Sequence, residues 1–178
     1  VIAFSEVELV ETAKNRFSTT IGELDRVLGG GLVPGMVTLV GGEPGIGKST
    51  LVTQVVVGLL QQIGEKNTSS AALPKKSAKP FSILYVSGEE SPSQISIRIN
   101  RFLNKEQKKS SVKTSKADPK THDSLIFVTS TTAEEIVEIM VQRKPSLVII
   151  DSIQTITSLE LTGSSGSVGQ LRESTEKI

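Results

Sequence analysis

A chain of 178 residues with no cysteine holds no disulfide framework and no thiolate metal site, and its single histidine, His122 in the polar stretch "PKTHDS", argues against a histidine-ligated zinc and reads as a solvated loop residue. Twenty basic against 19 acidic side chains leave a net charge of +1, and 37% hydrophobic content is ordinary for one domain with a real core. No apolar run approaches the roughly 18 residues that a membrane span needs, so no membrane partner is expected, and aromatics at 3% leave a core of Val, Ile and Leu suited to parallel strands buried on both faces.

Residues 1–17 read as a lead-in and 18–178 as one α/β domain. The start, "VIAFSEVELVE", has no basic lead and no small-residue cleavage site, and both ends read as cuts within a longer polypeptide. Short buried strands are predicted at 36–41 ("MVTLVG"), 82–87 ("SILYVS"), 124–129 ("SLIFVT") and 146–151 ("SLVIID"). Helices alternate with them. The run 48–63 places Leu51, Val55, Leu59 and Ile63 four apart, and 91–103 places Ile95, Ile99 and Phe102 on one face, with Pro92 suited to the first turn. The helix over 132–144 opens with Thr132 and Glu135 at capping-box spacing. Strand followed by helix, three times over, predicts an open, mostly parallel sheet flanked by helices.

Two segments break that rhythm, 64–80 and 104–123, rich in Lys, Ser and Pro and without apolar period. The first sets Lys66, Lys75, Lys76 and Lys79 against Glu65; the second sets six lysines against Glu106, Asp118 and Asp123. Basic charge is thus concentrated in two insertions while the rest of the chain is acidic. They read either as solvated loops or as arms that touch nucleic-acid phosphates.

The stretch "GGEPGIGKST" follows an apolar strand and precedes an apolar-periodic helix. Gly42-Glu43-Pro44-Gly45-Ile46-Gly47-Lys48-Ser49 matches GxxxxGK[ST], a pattern that chance would place in about one per cent of chains this long. Glycines let the chain wrap so that successive N–H groups point inward, and the helix start adds its positive dipole end to the same anion. Lys48 would bridge β- and γ-phosphates, Ser49 would ligate Mg²⁺, and Thr50 would reach the α-phosphate of ATP. "LVIID" ends a strand on Asp151, the Walker B pattern, and would hold the same metal. "SGEES" ends another strand with Glu89 and Glu90. Carboxylates at the C-terminal ends of parallel strands converge on the ligand crevice, so Glu89 is the candidate general base and Glu90 the second choice.

Together "STTIGELDRVLGGGLVPGMVTLVGGEPGIGKSTLVTQ" (18–54), "LYVSGEES" (84–91), "LVIIDSIQT" (147–155) and "GSVGQLRE" (166–173) closely resemble the ATPase domain of the bacterial RadA/Sms family, a RecA-like P-loop family of DNA repair and recombination. The resemblance implies a RecA-like core and a DNA-dependent ATP hydrolase that works as a hexameric ring on single-stranded DNA. It also implies branch migration of recombination intermediates beside the RecA recombinase, in the bacterial cytoplasm at the nucleoid. By position it implies ATP binding by Gly42, Gly45, Gly47, Lys48, Ser49 and Thr50, Mg²⁺ at Asp151, and catalysis by Glu89. It further implies a DNA-facing role for the loop Leu159–Val168, which by composition alone is an ordinary Gly/Ser connector, and a role for Arg172 at that face or at a subunit boundary. The alternative is a KaiC-like self-phosphorylating ATPase that uses the same glycine loop without DNA. Departures are visible: Thr20 stands where the family has glycine, and Ser165 where it has proline. The family's zinc module, the strand after Walker B and the "KNRFG" signature are not found, so an incomplete sheet, truncated at its C-terminal side, is expected. "KNRF" at 14–17 precedes the core and reads as coincidence.

Overall fold

The computed structural model describes residues 16–65, 80–107 and 124–178; most of both lysine-rich segments, and His122, lie outside them. The chain divides into two units, Val1–Lys79 and Pro80–Ile178.

In the second unit a parallel sheet forms around β1 (Ile83–Ser87), with β2 (Leu125–Val128) on one side and β3 (Leu147–Asp151) on the other. The helices α3 (Pro92–Gln107) and α4 (Ala133–Arg143) are the crossovers, and α5 (Val168–Lys177) closes the unit. Ile83, Leu84, Tyr85 and Val86 are each 0% exposed, as a central parallel strand requires, because both of its faces are covered. Period-two alternation sends Leu84 and Val86 to one face, where they form a core with Val128, Ala133, Ile136 and Ile156. Truncating one such buried aliphatic costs roughly 2–5 kcal/mol, since the cavity adds to the lost transfer energy. The register sets Ser87 opposite Asp151, so two strand ends finish level at the carboxyl edge.

The helix α4 begins as expected, but not with a capping box. Thr132 is its N-cap without a side-chain bond. Glu135 instead accepts from Ser130 Oγ at 2.6 Å, and the same Ser130 Oγ accepts from Thr132 N at 3.2 Å. Ser130 has taken the partner that Thr132 was expected to hold.

In the first unit α1 (Gly22–Val27) precedes a glycine turn, and α2 (Lys48–Glu65) follows the phosphate-loop sequence. A stripe four residues apart understates α2: residues 55–60 are buried without a break, so the helix is covered nearly all round. The entry to α1 is knotted on Asp25, whose carboxylate accepts from Ser18 Oγ (2.5 Å), Thr19 Oγ1 (2.6 Å) and Thr19 N (2.8 Å). Burial pushes that carboxyl up, but these bonds outweigh it and hold it below its usual range. The last two residues of "KNRF", Arg16 and Phe17, also have structural work. Arg16 Nη1 donates to Leu28 O (2.8 Å) and Gly31 O (3.1 Å), and Phe17, 4% exposed, forms an antiparallel bridge with Leu32. Gly31 is required there, since a Cβ would stand 2.5 Å from the Phe17 carbonyl oxygen.

The strand expected at 36–41 is not formed. These residues pair with no segment among those described, and Val37 and Leu39 stand 91% and 85% exposed. A strand exists only by its ladder. Among the described residues no segment offers 36–41 such a ladder, so the run stays without strand pairing despite its composition.

Candidate active site

The phosphate-loop residues lie together in the first unit. Gly45 and Gly47 adopt φ of +80° and +107°, a region glycine enters without a Cβ penalty, and nothing lies within 4 Å of a Cβ built on either. The loop is therefore open backbone rather than a packed turn. Gly42 is crowded by Ile46 Cγ2 at 3.2 Å from such a Cβ. The Lys48 ammonium is held by the loop itself, donating to Gly42 O at 2.7 Å and Glu43 O at 2.9 Å. That holds a positive charge against the loop, beside the first turn of α2. The helix bonds begin with Leu51 N to Gly47 O (2.9 Å), and Thr53 Oγ1 donates to Ser49 O (2.7 Å). Lys48 and Ser49 are half-buried, while Glu43, Pro44, Ile46 and Thr50 are exposed. Free amides, a helix start and a fixed ammonium are the donors a polyphosphate needs.

The candidate carboxylates lie together in the second unit, at the carboxyl edge of its sheet. Asp151 ends β3, and its Oδ2 accepts from Tyr85 Oη at 3.1 Å. The next residue, Ser152, donates from Oγ to Glu89 Oε1 at 2.8 Å. One hydroxyl thus ties the glutamate to the residue beside the aspartate. The approach is close because residue 88 is glycine: a Cβ there would meet Thr155 Oγ1 at 2.3 Å and Thr131 Cγ2 at 2.8 Å. Thr155 belongs to a short 3₁₀ turn (Ile153–Thr155) directly after β3, and its Oγ1 donates to Ser152 O at 2.8 Å. Glu90, the second choice, is placed differently from Glu89. Its carboxylate pairs with the Arg98 guanidinium on α3, and its N–H donates to Ser87 Oγ (3.1 Å). The turn therefore divides the two glutamates, one toward Ser152 and one toward a neutralising cation.

Tyr85, Ser152 and Arg98 were not singled out from the sequence. Tyr85 carried a signal nonetheless. It is the one tyrosine of the chain, set in a run of aliphatic residues, and a buried phenol calls for a polar partner. Burial, the Asp151 charge and the hydrogen bond push that phenol well above its usual range, so it stays a donor.

Beyond the 3₁₀ turn the chain forms the loop 159–167, fastened at its base. Gln170, 1% exposed, accepts from Ser158 N (2.7 Å) and donates back to Ser158 O (3.3 Å) and to Leu161 O. Glu134 accepts from Ser158 Oγ (2.7 Å), Leu159 N (3.1 Å) and Lys177 Nζ (2.7 Å), while Lys177 also pairs with Glu160 at 2.7 Å. Arg172 is exposed on α5, where with Val168, Leu171, Thr175 and Glu176 it lines a shallow cavity of about 490 Å³.

Among the described residues no cluster of three or more His, Cys, Asp or Glu could cage a metal. Mg²⁺ does not need one, since it is commonly held by one or two carboxylates together with substrate phosphates, and a hard carboxylate oxygen such as those of Asp151 suits it.

A glycine hollow at a helix start and carboxylates at the edge of a parallel sheet define a RecA-like P-loop core, and the chain belongs to the AAA domain family, whose model matches residues 3–178. Among individual proteins, the chain is similar to the DNA repair protein RadA of Haemophilus influenzae, 38% identical over 169 residues that cover 95% of this chain and 29% of that protein. RadA of Streptococcus pneumoniae is 39% identical over 172 residues (96% and 33%), and RadA of Bacillus subtilis 36% over 176 (98% and 31%). The chain therefore spans about a third of the length of these curated relatives. The resemblance read from four motifs extends over nearly all of this chain.

Proposed function

We propose that this chain binds ATP through residues 42–50 and hydrolyses it with Glu89 as general base, in the service of DNA repair. The observation that carries the reading is the open glycine loop with the Lys48 ammonium held against it. Gly42, Gly45 and Gly47 shape the loop; Glu43, Pro44 and Ile46 lend backbone; Lys48 supplies charge to the β- and γ-phosphates; Thr50 reaches the α-phosphate. By the motif pattern Ser49 and Asp151 would each serve Mg²⁺, which when bound neutralises phosphate charge. The work on DNA rests on the names of the RadA relatives and on the motif resemblance. We extend it to single-stranded DNA, recombination intermediates, a RecA recombinase partner and a hexameric ring, with the loop Leu159–Val168 and Arg172 facing the strand or a neighbouring subunit.

Two substitutions in the intact protein test the chemistry. Lys48→Ala is expected to abolish binding of a fluorescent ATP analogue, whereas Glu89→Gln is expected to bind it normally and turn over at least about 100-fold more slowly, the usual yield of general base catalysis. Nucleotide affinity unchanged in Lys48→Ala would remove the cradle from the reading. Stimulation of turnover by single-stranded DNA supports the DNA motor; labelled phosphate retained on the protein would support the self-phosphorylating alternative instead.

A further inference from the structure

Asp151 is reached by a group from another strand, and the reading above gives that group no task. Tyr85 is 0% exposed at the centre of the sheet. Its ring leans on Phe127 of β2, with centroids 6.1 Å apart and planes at 51°. The strand beneath it is paired on both sides, to β2 and to β3. Its hydroxyl ends 3.1 Å from Asp151 Oδ2, while Asp151 itself is half-buried at the finish of an outer strand. A carboxylate in that position has rotational freedom about two bonds. One hydrogen bond from an immobile donor removes most of it, and occupies one oxygen so that the other is left for a ligand.

We propose that Tyr85 is a positioning residue for the divalent cation, acting through Asp151: its hydroxyl fixes the carboxylate in the orientation that receives the metal or a water of its shell. Partners that orient a metal's ligands commonly influence affinity by 10–100-fold, because the ligand no longer has to be ordered when the ion arrives. This rests on the ATPase reading above. A purely structural account, in which Asp151 merely satisfies a buried phenol, makes a different prediction. Under it, Tyr85→Phe removes the group that needed satisfying, returns Asp151 to water, and leaves metal binding alone.

Tyr85→Phe keeps the ring, its burial and the Phe127 contact, so the variant is expected to fold. In the intact protein, bound Mn²⁺ would be followed by its electron paramagnetic resonance signal at a saturating, non-hydrolysable ATP analogue, and analogue affinity would be measured with and without Mn²⁺. The expected result is about tenfold weaker Mn²⁺ binding in Tyr85→Phe, with metal-free analogue affinity and melting temperature close to wild type. Equal Mn²⁺ affinity in the two proteins overturns the proposal while leaving the ATPase reading in place. So does a loss of metal-free affinity by the same factor, which marks general damage. A wild-type protein whose analogue binding ignores Mn²⁺ overturns the reading beneath, and the Tyr85 assignment with it.

Discussion

Gly58 lies inside α2, where alanine would ordinarily be favoured by about 1 kcal/mol. Its neighbour explains it. Thr20 Oγ1 would stand 1.8 Å from a Cβ at 58, and Thr20 itself sits at φ +68°, a conformation that costs a β-branched residue on the order of 1–3 kcal/mol. The backbone at 20 keeps a shape made for glycine, the residue the resembling family has there, and the threonine side chain is accommodated by the glycine on α2. Gly58→Ala is therefore expected to destabilise by roughly 1–3 kcal/mol, as overpacking does. Thr20→Gly in the same chain should restore most of that, so the pair is strongly non-additive in thermal unfolding. Additive changes would break the account. At this scale the cradle was legible because its residues are consecutive and glycine, lysine and serine have few other reasons to occur in that order. The bond from Tyr85 to Asp151 was not, because 66 residues separate the two and only the sheet register brings them together.

Among the elements, α4 and α5 are joined by a single basic residue. Lys177 reaches Glu134 at the start of α4 and Glu160 in the loop, and Glu134 in turn holds Ser158 and Leu159. The Lys177 ammonium, with the Ser158 and Leu159 donors, draws the Glu134 carboxyl from its ordinary 4.5 down to about 2. A carboxyl depressed on folding stabilises fully above its ordinary value and loses that contribution as pH falls through the folded one. Glu134 and Glu160 likewise raise the Lys177 ammonium, whose contribution fades only as pH climbs past its usual range. The clasp is expected to hold at neutral pH and to open between about pH 4.5 and 2. Amide exchange at Leu159, whose N–H Glu134 accepts, is the direct measure, and protection persisting unchanged at pH 2 would contradict it. Composition marked Leu159–Val168 as a Gly/Ser connector, but nothing local showed that its base is fastened. Gln170 and Lys177 look like ordinary surface positions until α5 is laid beside the loop. The loop itself contains no Lys or Arg. If it meets a nucleic acid it does so through amides and hydroxyls, so the salt dependence of binding must come from other basic groups.

For the molecule as a whole, the order of strands and helices followed from apolar runs and their punctuation, and three of four predicted strands formed within a residue or two of their expected bounds. The fourth shows where such reading stops. "MVTLV" has every residue a strand prefers, yet strand character depends on a partner, and composition does not say whether one is present. The sheet that did form has β3 on its outside, with β1 its only ladder partner among the described residues. An apolar, β-branched outer strand and an exposed apolar run each carry a row of peptide groups that no ladder takes up among the described residues. Such rows act as templates for other chains. Produced alone, this polypeptide is therefore expected to be sticky: light scattering should rise steeply with concentration, and Val37→Lys with Leu39→Lys should suppress it. A stock that stays monomeric when concentrated would show that those rows find company some other way.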